Sequence, residues 1–183
     1  MQNNQPHPDI ARILVPEDTI QAHVKVLAHQ ISRDYADVDS IYMIGVLRGS
    51  FMFLADLVRQ INVPTVVDFM AISSYSDASE SGEVRIVMDL HEPIVNKHVI
   101  VVEDIVDSGQ TMSYLYHTLK GRGPASLRTC TLVQKHQEYV SVPLDYLGFN
   151  IPDVWVVGYG LHYEGRHRTL PYIAELKETV YKK

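Results

Sequence analysis

Cysteine is nearly absent from this 183-residue sequence: Cys130 stands alone. No intrachain disulfide and no cysteine metal cage can form, and a lone thiol fits a reducing compartment. Long apolar runs are missing too, and none approaches the ~20 residues a membrane-spanning helix needs. Met1 to Asp9 is polar and lacks the apolar centre of a signal peptide. A soluble, cytoplasmic protein with no membrane partner is therefore expected. Positive charge is also scarce. The 16 Lys and Arg are outnumbered by 22 Asp and Glu, a net charge of −6. That excludes a broad basic face for nucleic acid but leaves room for a local basic pocket. No repeat and no low-complexity linker divides the chain. What remains, 46 % hydrophobic and 21 % charged, is globular and suits a single domain over residues 1–183.

Hydrophobic spacing supplies the elements. Pro16 opens a helical stretch in which Ile20, Val24, Leu27 and Ile31 share a face. Ile41 to Val46 reads as a strand that runs into Leu47-Arg48-Gly49-Ser50. A second amphipathic helix then follows, with Leu54, Leu57, Val58 and Ile61 on one side. Thr65 to Ile72 and Val84 to Leu90 read as strands around a polar loop, Ser73 to Glu83. His98 to Val102 is almost wholly apolar, as a central parallel strand covered on both faces should be. A helix from about Thr111 is stopped by Gly121, Gly123 and Pro124. Leu127 to Val133, Tyr146 to Phe149 and Trp155 to Gly158 are the last expected strands, ahead of a basic C-terminal loop. This alternation predicts an α/β fold with a mainly parallel sheet flanked by helices. Such sheets bind ligands at the carboxyl ends of their strands. Arg48-Gly49, Glu103-Asp104 and Lys135 all follow predicted strands, so they should meet at one edge.

The most informative stretch is Val101-Val102-Glu103-Asp104-Ile105-Val106-Asp107-Ser108-Gly109-Gln110-Thr111. Its second half, Asp107 to Thr111, is a small-residue turn into a helix. Free N–H groups at the helix start, with the hydroxyls of Ser108 and Thr111, make an anion cradle around Gly109 and Gln110. Its first half sets two acids after a buried strand. Acids beside a phosphate cradle make sense if they grip sugar hydroxyls or lie near a divalent cation. A lone Asp-Ser-Gly would be an ordinary helix cap; the full pattern is more specific. It is not a Walker A loop, because no Gly-Lys-Ser/Thr ending is present.

The segment resembles the phosphoribosyl-diphosphate signature of the type I phosphoribosyltransferases, and the wider chain resembles their hypoxanthine-guanine branch. The likeness runs from about Ile41 to about Glu175. It takes in Leu47-Arg48-Gly49, Ser74-Tyr75, the acidic signature, Lys135, Gly148-Phe149 and Trp155 to Arg168. The resemblance implies that fold, with a small hood from the N-terminal segment and about residues 135–170. It implies a Mg²⁺-dependent transfer of phosphoribose from phosphoribosyl diphosphate to hypoxanthine or guanine, by a homodimer or homotetramer. Glu103 and Asp104 would hold the ribose hydroxyls near the metal. The turn Asp107, Ser108, Gly109, Gln110 and Thr111 would hold the 5′-phosphate, with Asp107 as general base at purine N7. Leu47, Arg48 and Gly49 would form the diphosphate loop, entered by a cis peptide bond at Arg48, with Arg168 as a second diphosphate ligand. Lys135 would donate to the purine O6 and so reject adenine. Trp155 would stack on the base, while Val156 and His162 would offer main-chain carbonyls to its edge. Ser74 and Tyr75 would begin a lid that excludes water.

One position departs from the pattern. Relatives commonly carry Asp where this chain has His162, and that Asp helps hold a second metal. Histidine suits transition metals better than magnesium, so His162 is either a metal ligand of altered chemistry or a backbone contact only. Gly165-Arg166-His167-Arg168 is also unusually basic. Two further readings stay open: a regulatory protein on the same fold that binds nucleic acid, and a transferase selective for xanthine or another base.

Overall fold

The computed structural model describes residues 6–74, 84–135 and 141–182. Its framework is a six-stranded sheet of order β4-β3-β2-β5-β6-β7. The strands are β2 (Ile41–Leu47), β3 (Thr65–Ser74), β4 (Val84–Met88), β5 (His98–Val106), β6 (Ser126–Gln134) and β7 (Tyr146–Asn150). All neighbours are parallel except β3 with β4. Strand β5 lies between β2 and β6, with helices over both faces. Val99, Ile100, Val101 and Val102 are all fully buried, which explains their continuous apolar run.

Helix α1 (Glu17–Asp34) places Ile20, Val24, Leu27, Ala28 and Ile31 against one face. Glu17 and Asp18 in its first turn and Arg33 in its last complement the helix dipole. Helix α2 (Phe51–Val58) follows β2 onto that same face, where Phe53, Leu54 and Leu57 join the α1 cluster. Helix α3 (Gln110–Lys120) follows β5 onto the opposite face, where Met112, Leu115 and Leu119 are buried. The connections leaving β2 and β5 therefore diverge, and a crevice opens between the carboxyl ends of these two adjacent strands.

Five elements differ from the sequence expectation. Strand β1 (Ile10–Val15) occupies the segment before Pro16, where no element was expected. It pairs antiparallel with β9 (Ile173–Leu176), which in turn pairs with the short β8 (Val156–Val157). This second sheet, of order β1-β9-β8, has its central strand beyond the 135–170 expected for the hood. A short helix, α4 (Glu178–Tyr181), follows it. Helix α2 ends at Val58, so Ile61 lies outside it. Strand β5 continues past Val102 to Val106, because Ile105 and Val106 still pair with Val133 and Gln134 of β6. No described helix is long and apolar enough to cross a membrane.

Candidate active site

The crevice is a cleft of about 400 Å³ lined by Leu47, Arg48, Gly49, Glu103, Asp104, Asp107, Ser108, Gly109, Thr111, His162 and Arg168, among others. The loop after β2, the end of β5 with the turn that follows it, and the turn after β8 thus bring these predicted residues together. The Leu47–Arg48 peptide bond is cis, as the resemblance implied.

One wall is acidic. Extension of β5 carries Glu103 and Asp104 into the sheet, and Glu103 is only 5 % exposed. Burial, and then the charge of Asp104, hold the Glu103 carboxyl well above its usual range. Burial also raises Asp104, against the pull of backbone N–H donors and the Arg168 charge. A cation or hydroxyl donors placed at the pair would favour its charged form. The donors are all oxygen, and carboxylate oxygens suit a hard divalent cation.

The floor is the turn into α3. Gly109 adopts φ 75°, a left-handed conformation that costs glycine little. The first N–H groups of α3 have no intrahelical acceptors, as at any helix start, and Gly109 and Thr111 of this end line the cleft. Beside the floor, Lys135 Nζ lies 3.4 Å from Asp107 Oδ2 and 3.8 Å from Asp153 Oδ1. Its backbone N–H donates to the Val106 carbonyl at 3.1 Å, which locks the ends of β5 and β6 together.

The opposite wall is basic. Arg168 donates from Nη1 to the Gly160 carbonyl at 2.6 Å, and the Gly160 N–H donates back to the Arg168 carbonyl at 2.9 Å. A Cβ added at Gly160 would collide with the Gly49 carbonyl, so this clasp presses on the loop after β2. Sequence reading missed Gly160; its signal was the Gly-Tyr-Gly just after the last expected strand. His162 accepts a hydrogen bond at Nδ1 from the Gly165 N–H, 2.9 Å away. Burial, Arg168 and Arg48 lower its pKa, so the ring is neutral at pH 7. Burial and the Arg48 charge also lower Arg168, opposed by Asp104.

Of the expected base-side residues, His162 lines the cleft, and Lys135, Trp155 and Val156 lie outside its lining. Lys135 flanks it through Asp107. Val156 is buried in β8. Trp155 is 48 % exposed and meets Tyr163 edge-on at 5.5 Å, with Tyr181 tilted beside it at 5.6 Å. Gln110 begins α3 at the cleft but does not line it. Ser74 ends β3, and Tyr75 lies outside the described residues.

A parallel sheet with an acid pair and an anion cradle at its switch point defines the class: a phosphoribosyltransferase of the type I fold. Residues 16–164 match the family described as phosphoribosyl transferase domain. The hypoxanthine-guanine phosphoribosyltransferase of Dictyostelium discoideum is 45 % identical over 176 residues, covering 93 % of this chain and 98 % of that one. The hypoxanthine phosphoribosyltransferase of Escherichia coli K12 is 47 % identical over 167 residues, covering 90 % and 94 %. The solved structure of the Trypanosoma cruzi hypoxanthine phosphoribosyltransferase in complex with the product IMP superimposes with a TM-score of 0.89. The two are 40 % identical, over 97 % of this chain and all of that one. The chain belongs to the hypoxanthine-guanine phosphoribosyltransferase family.

Proposed function

We propose that this enzyme transfers the 5-phosphoribosyl group from phosphoribosyl diphosphate to N9 of hypoxanthine or guanine, giving IMP or GMP and diphosphate. The observation that carries the reading is the split electrostatics of the cleft: buried acids on one wall and Arg48, His162 and Arg168 on the other. A substrate with sugar hydroxyls at its middle and phosphates at both ends satisfies both walls at once. Asp107, Ser108, Gly109, Gln110 and Thr111 bind the 5′-phosphate. Leu47, Arg48, Gly49 and Arg168 bind the diphosphate. Glu103 and Asp104 accept from the ribose hydroxyls.

As N9 bonds to C1, the C1–O bond breaks and its electron pair leaves on the diphosphate. Asp107, oriented by Lys135, takes the base proton at N7. Lys135 donates to O6, and the exposed face of Trp155 stacks on the ring with the Val156 and His162 carbonyls at its edge. Ser74 and Tyr75 lead into the closing lid. Glu103 and Asp104 would hold Mg²⁺ through ribose hydroxyls or water, and the ion would neutralise the leaving charge. His162 does not fit that role: its Nδ1 lone pair is engaged and two arginines lie nearby. The sheet β1-β9-β8 and the turns after it act as the hood of a single cytoplasmic domain. Strands β3 and β4 form the edge of the large sheet and carry the exposed Val66, Val67, Val87 and Met88, and this edge is the region we assign to pairing of subunits into a dimer or tetramer.

The test is nucleotide formation with magnesium, phosphoribosyl diphosphate and a panel of hypoxanthine, guanine, xanthine and adenine. Hypoxanthine or guanine should be turned over far faster than adenine, which presents a donor to a donor at Lys135. Comparable use of adenine removes Lys135 from base recognition.

A further inference from the structure

Among the described residues, one group of metal-ligating side chains stands outside the cleft: His7, Asp9 and His167, with one potential ligand atom from each within 4.8 Å of the others. The three come from the two ends of the hood. His7 and Asp9 precede β1, and His167 lies in the turn that delivers Arg168. The backbones of His7 and Asp9 are tied to the far end of the chain. The His7 N–H donates to the Tyr172 hydroxyl at 3.3 Å, and the Lys177 N–H donates to the Asp9 carbonyl at 2.8 Å. The arrangement is therefore built by the fold.

The decisive atom is His167 Nε2. The His167 side chain is 7 % exposed, and Nε2 lies 3.2 Å from Asp9 Oδ2. That approach makes no hydrogen bond, and the buried nitrogen has no hydrogen-bond partner. A buried ring nitrogen left without a partner is destabilising. The same separation is the edge length for two ligands on one tetrahedral ion, about 3.3 Å for bonds of about 2.0–2.1 Å. The His7 ring lies beside it at a centroid distance of 4.8 Å and an interplanar angle of 69°. It is 43 % exposed, so it can turn a nitrogen to the same point. Its Nδ1 now accepts a 3.2 Å contact from the Asp9 N–H, an exposed contact that water can replace.

We propose that His7, Asp9 and His167 bind a divalent transition-metal ion of the zinc class. Two imidazoles and one carboxylate suit zinc and its neighbours and suit magnesium poorly. Three protein ligands leave a fourth position to water. The ion would pin the N-terminal segment to the turn before Arg168, whose clasp on Gly160 bears on Gly49. Its binding is independent of which base the enzyme uses.

The test is calorimetric titration of zinc chloride into the full-length, metal-stripped chain carrying no added histidines, in magnesium buffer. One equivalent should bind per chain. His7→Gln and Asp9→Asn should each weaken it at least about tenfold while leaving circular dichroism and magnesium-supported turnover unchanged. His167→Asn removes the buried ligand with a residue that tolerates the left-handed φ of 69°. Cobalt(II) added in place of zinc should give a tetrahedral visible spectrum in the native chain and lose it in His7→Gln. Equal zinc affinity in the native protein, His7→Gln and Asp9→Asn, or the absence of one-to-one binding, overturns the proposal.

Discussion

The Cα of Gly49 sits against the carboxylate of Asp104, so close that any Cβ at Gly49 would overlap Oδ1 and Oδ2. The loop after β2 and the acid pair of β5 are thus a single packed unit, with Gly160 closing it from the hood side. A shift of either loop must be felt by the other, which couples the proposed diphosphate end of the cleft to the proposed ribose end.

Gly49→Ala should therefore damage binding more than folding. The methyl group must displace the Asp104 carboxylate or the loop itself. We expect the KM for phosphoribosyl diphosphate to rise about 10²-fold, the scale of a 1 Å misplacement at a reacting centre. Tm should fall only by the few degrees that about 1 kcal/mol produces in a domain of this size. Initial-rate kinetics with a thermal melt check this; an unchanged KM would mean that Asp104 relocates freely.

Glu103 should be a liability for stability. Its carboxyl is raised by burial and by Asp104, so over the range from the ordinary 4.5 up to its folded value the native state holds more protons than the unfolded state. Stability of the substrate-free enzyme must then fall as pH rises through that range. Glu103→Gln removes the term. It should raise the Tm at neutral pH, flatten the pH dependence, and weaken phosphoribosyl diphosphate binding. Melts of both proteins between pH 5 and about 8 test the sign. A lower Tm for Glu103→Gln throughout would contradict it.

How much of this was legible in the sequence follows from how local each signal is. The apolar run at Val99 to Val102 and the turn at Asp107 to Thr111 are contiguous, and they located the cleft's floor directly. The seating of Glu103 and Asp104 inside the strand was not legible, because it depends on the register of Ile105 and Val106 with β6. Strands β1 and β9 escaped for a similar reason. The half-exposed β1 and the largely buried, four-residue β9 stabilise each other, with Arg12 reaching Glu175 at 2.6 Å from the far end of the chain. The histidine–glycine bond at His162 depends on turn geometry that no spacing rule reveals.

Asp107 and Lys135 should separate in mutants although they touch. Asp107→Asn keeps size and one acceptor oxygen but removes the proton acceptor. We expect kcat to drop by about 10²–10⁴-fold. Binding of phosphoribosyl diphosphate should persist on Gly109, Thr111 and the α3 N-terminus. Single-turnover kinetics and equilibrium binding distinguish this from a helix cap, whose loss would lower stability and leave the chemical step intact.

His162 offers the sharpest contrast between a donor and a metal ligand. With Nδ1 accepting from Gly165, the neutral ring must carry its proton on Nε2. Its lowered pKa keeps it neutral through the physiological range. Such a ring presents an N–H, which an anionic diphosphate accepts and a metal ion cannot use. His162→Asn preserves an acceptor for Gly165 and an outward donor, so its magnesium titration curve should superimpose on that of the native enzyme. His162→Asp replaces the donor with an oxygen ligand that magnesium favours. It should lower the magnesium concentration needed for half-maximal activity, most visibly below neutral pH, where carboxylates remain charged to about pH 4. At saturating magnesium it should raise the KM for phosphoribosyl diphosphate, because a carboxylate now faces the substrate's anionic end. A ¹⁵N-detected tautomer measurement on the native enzyme supplies the direct check. A proton found on Nδ1 would return the ring to the metal-ligand reading, since Nε2 would then hold the free lone pair.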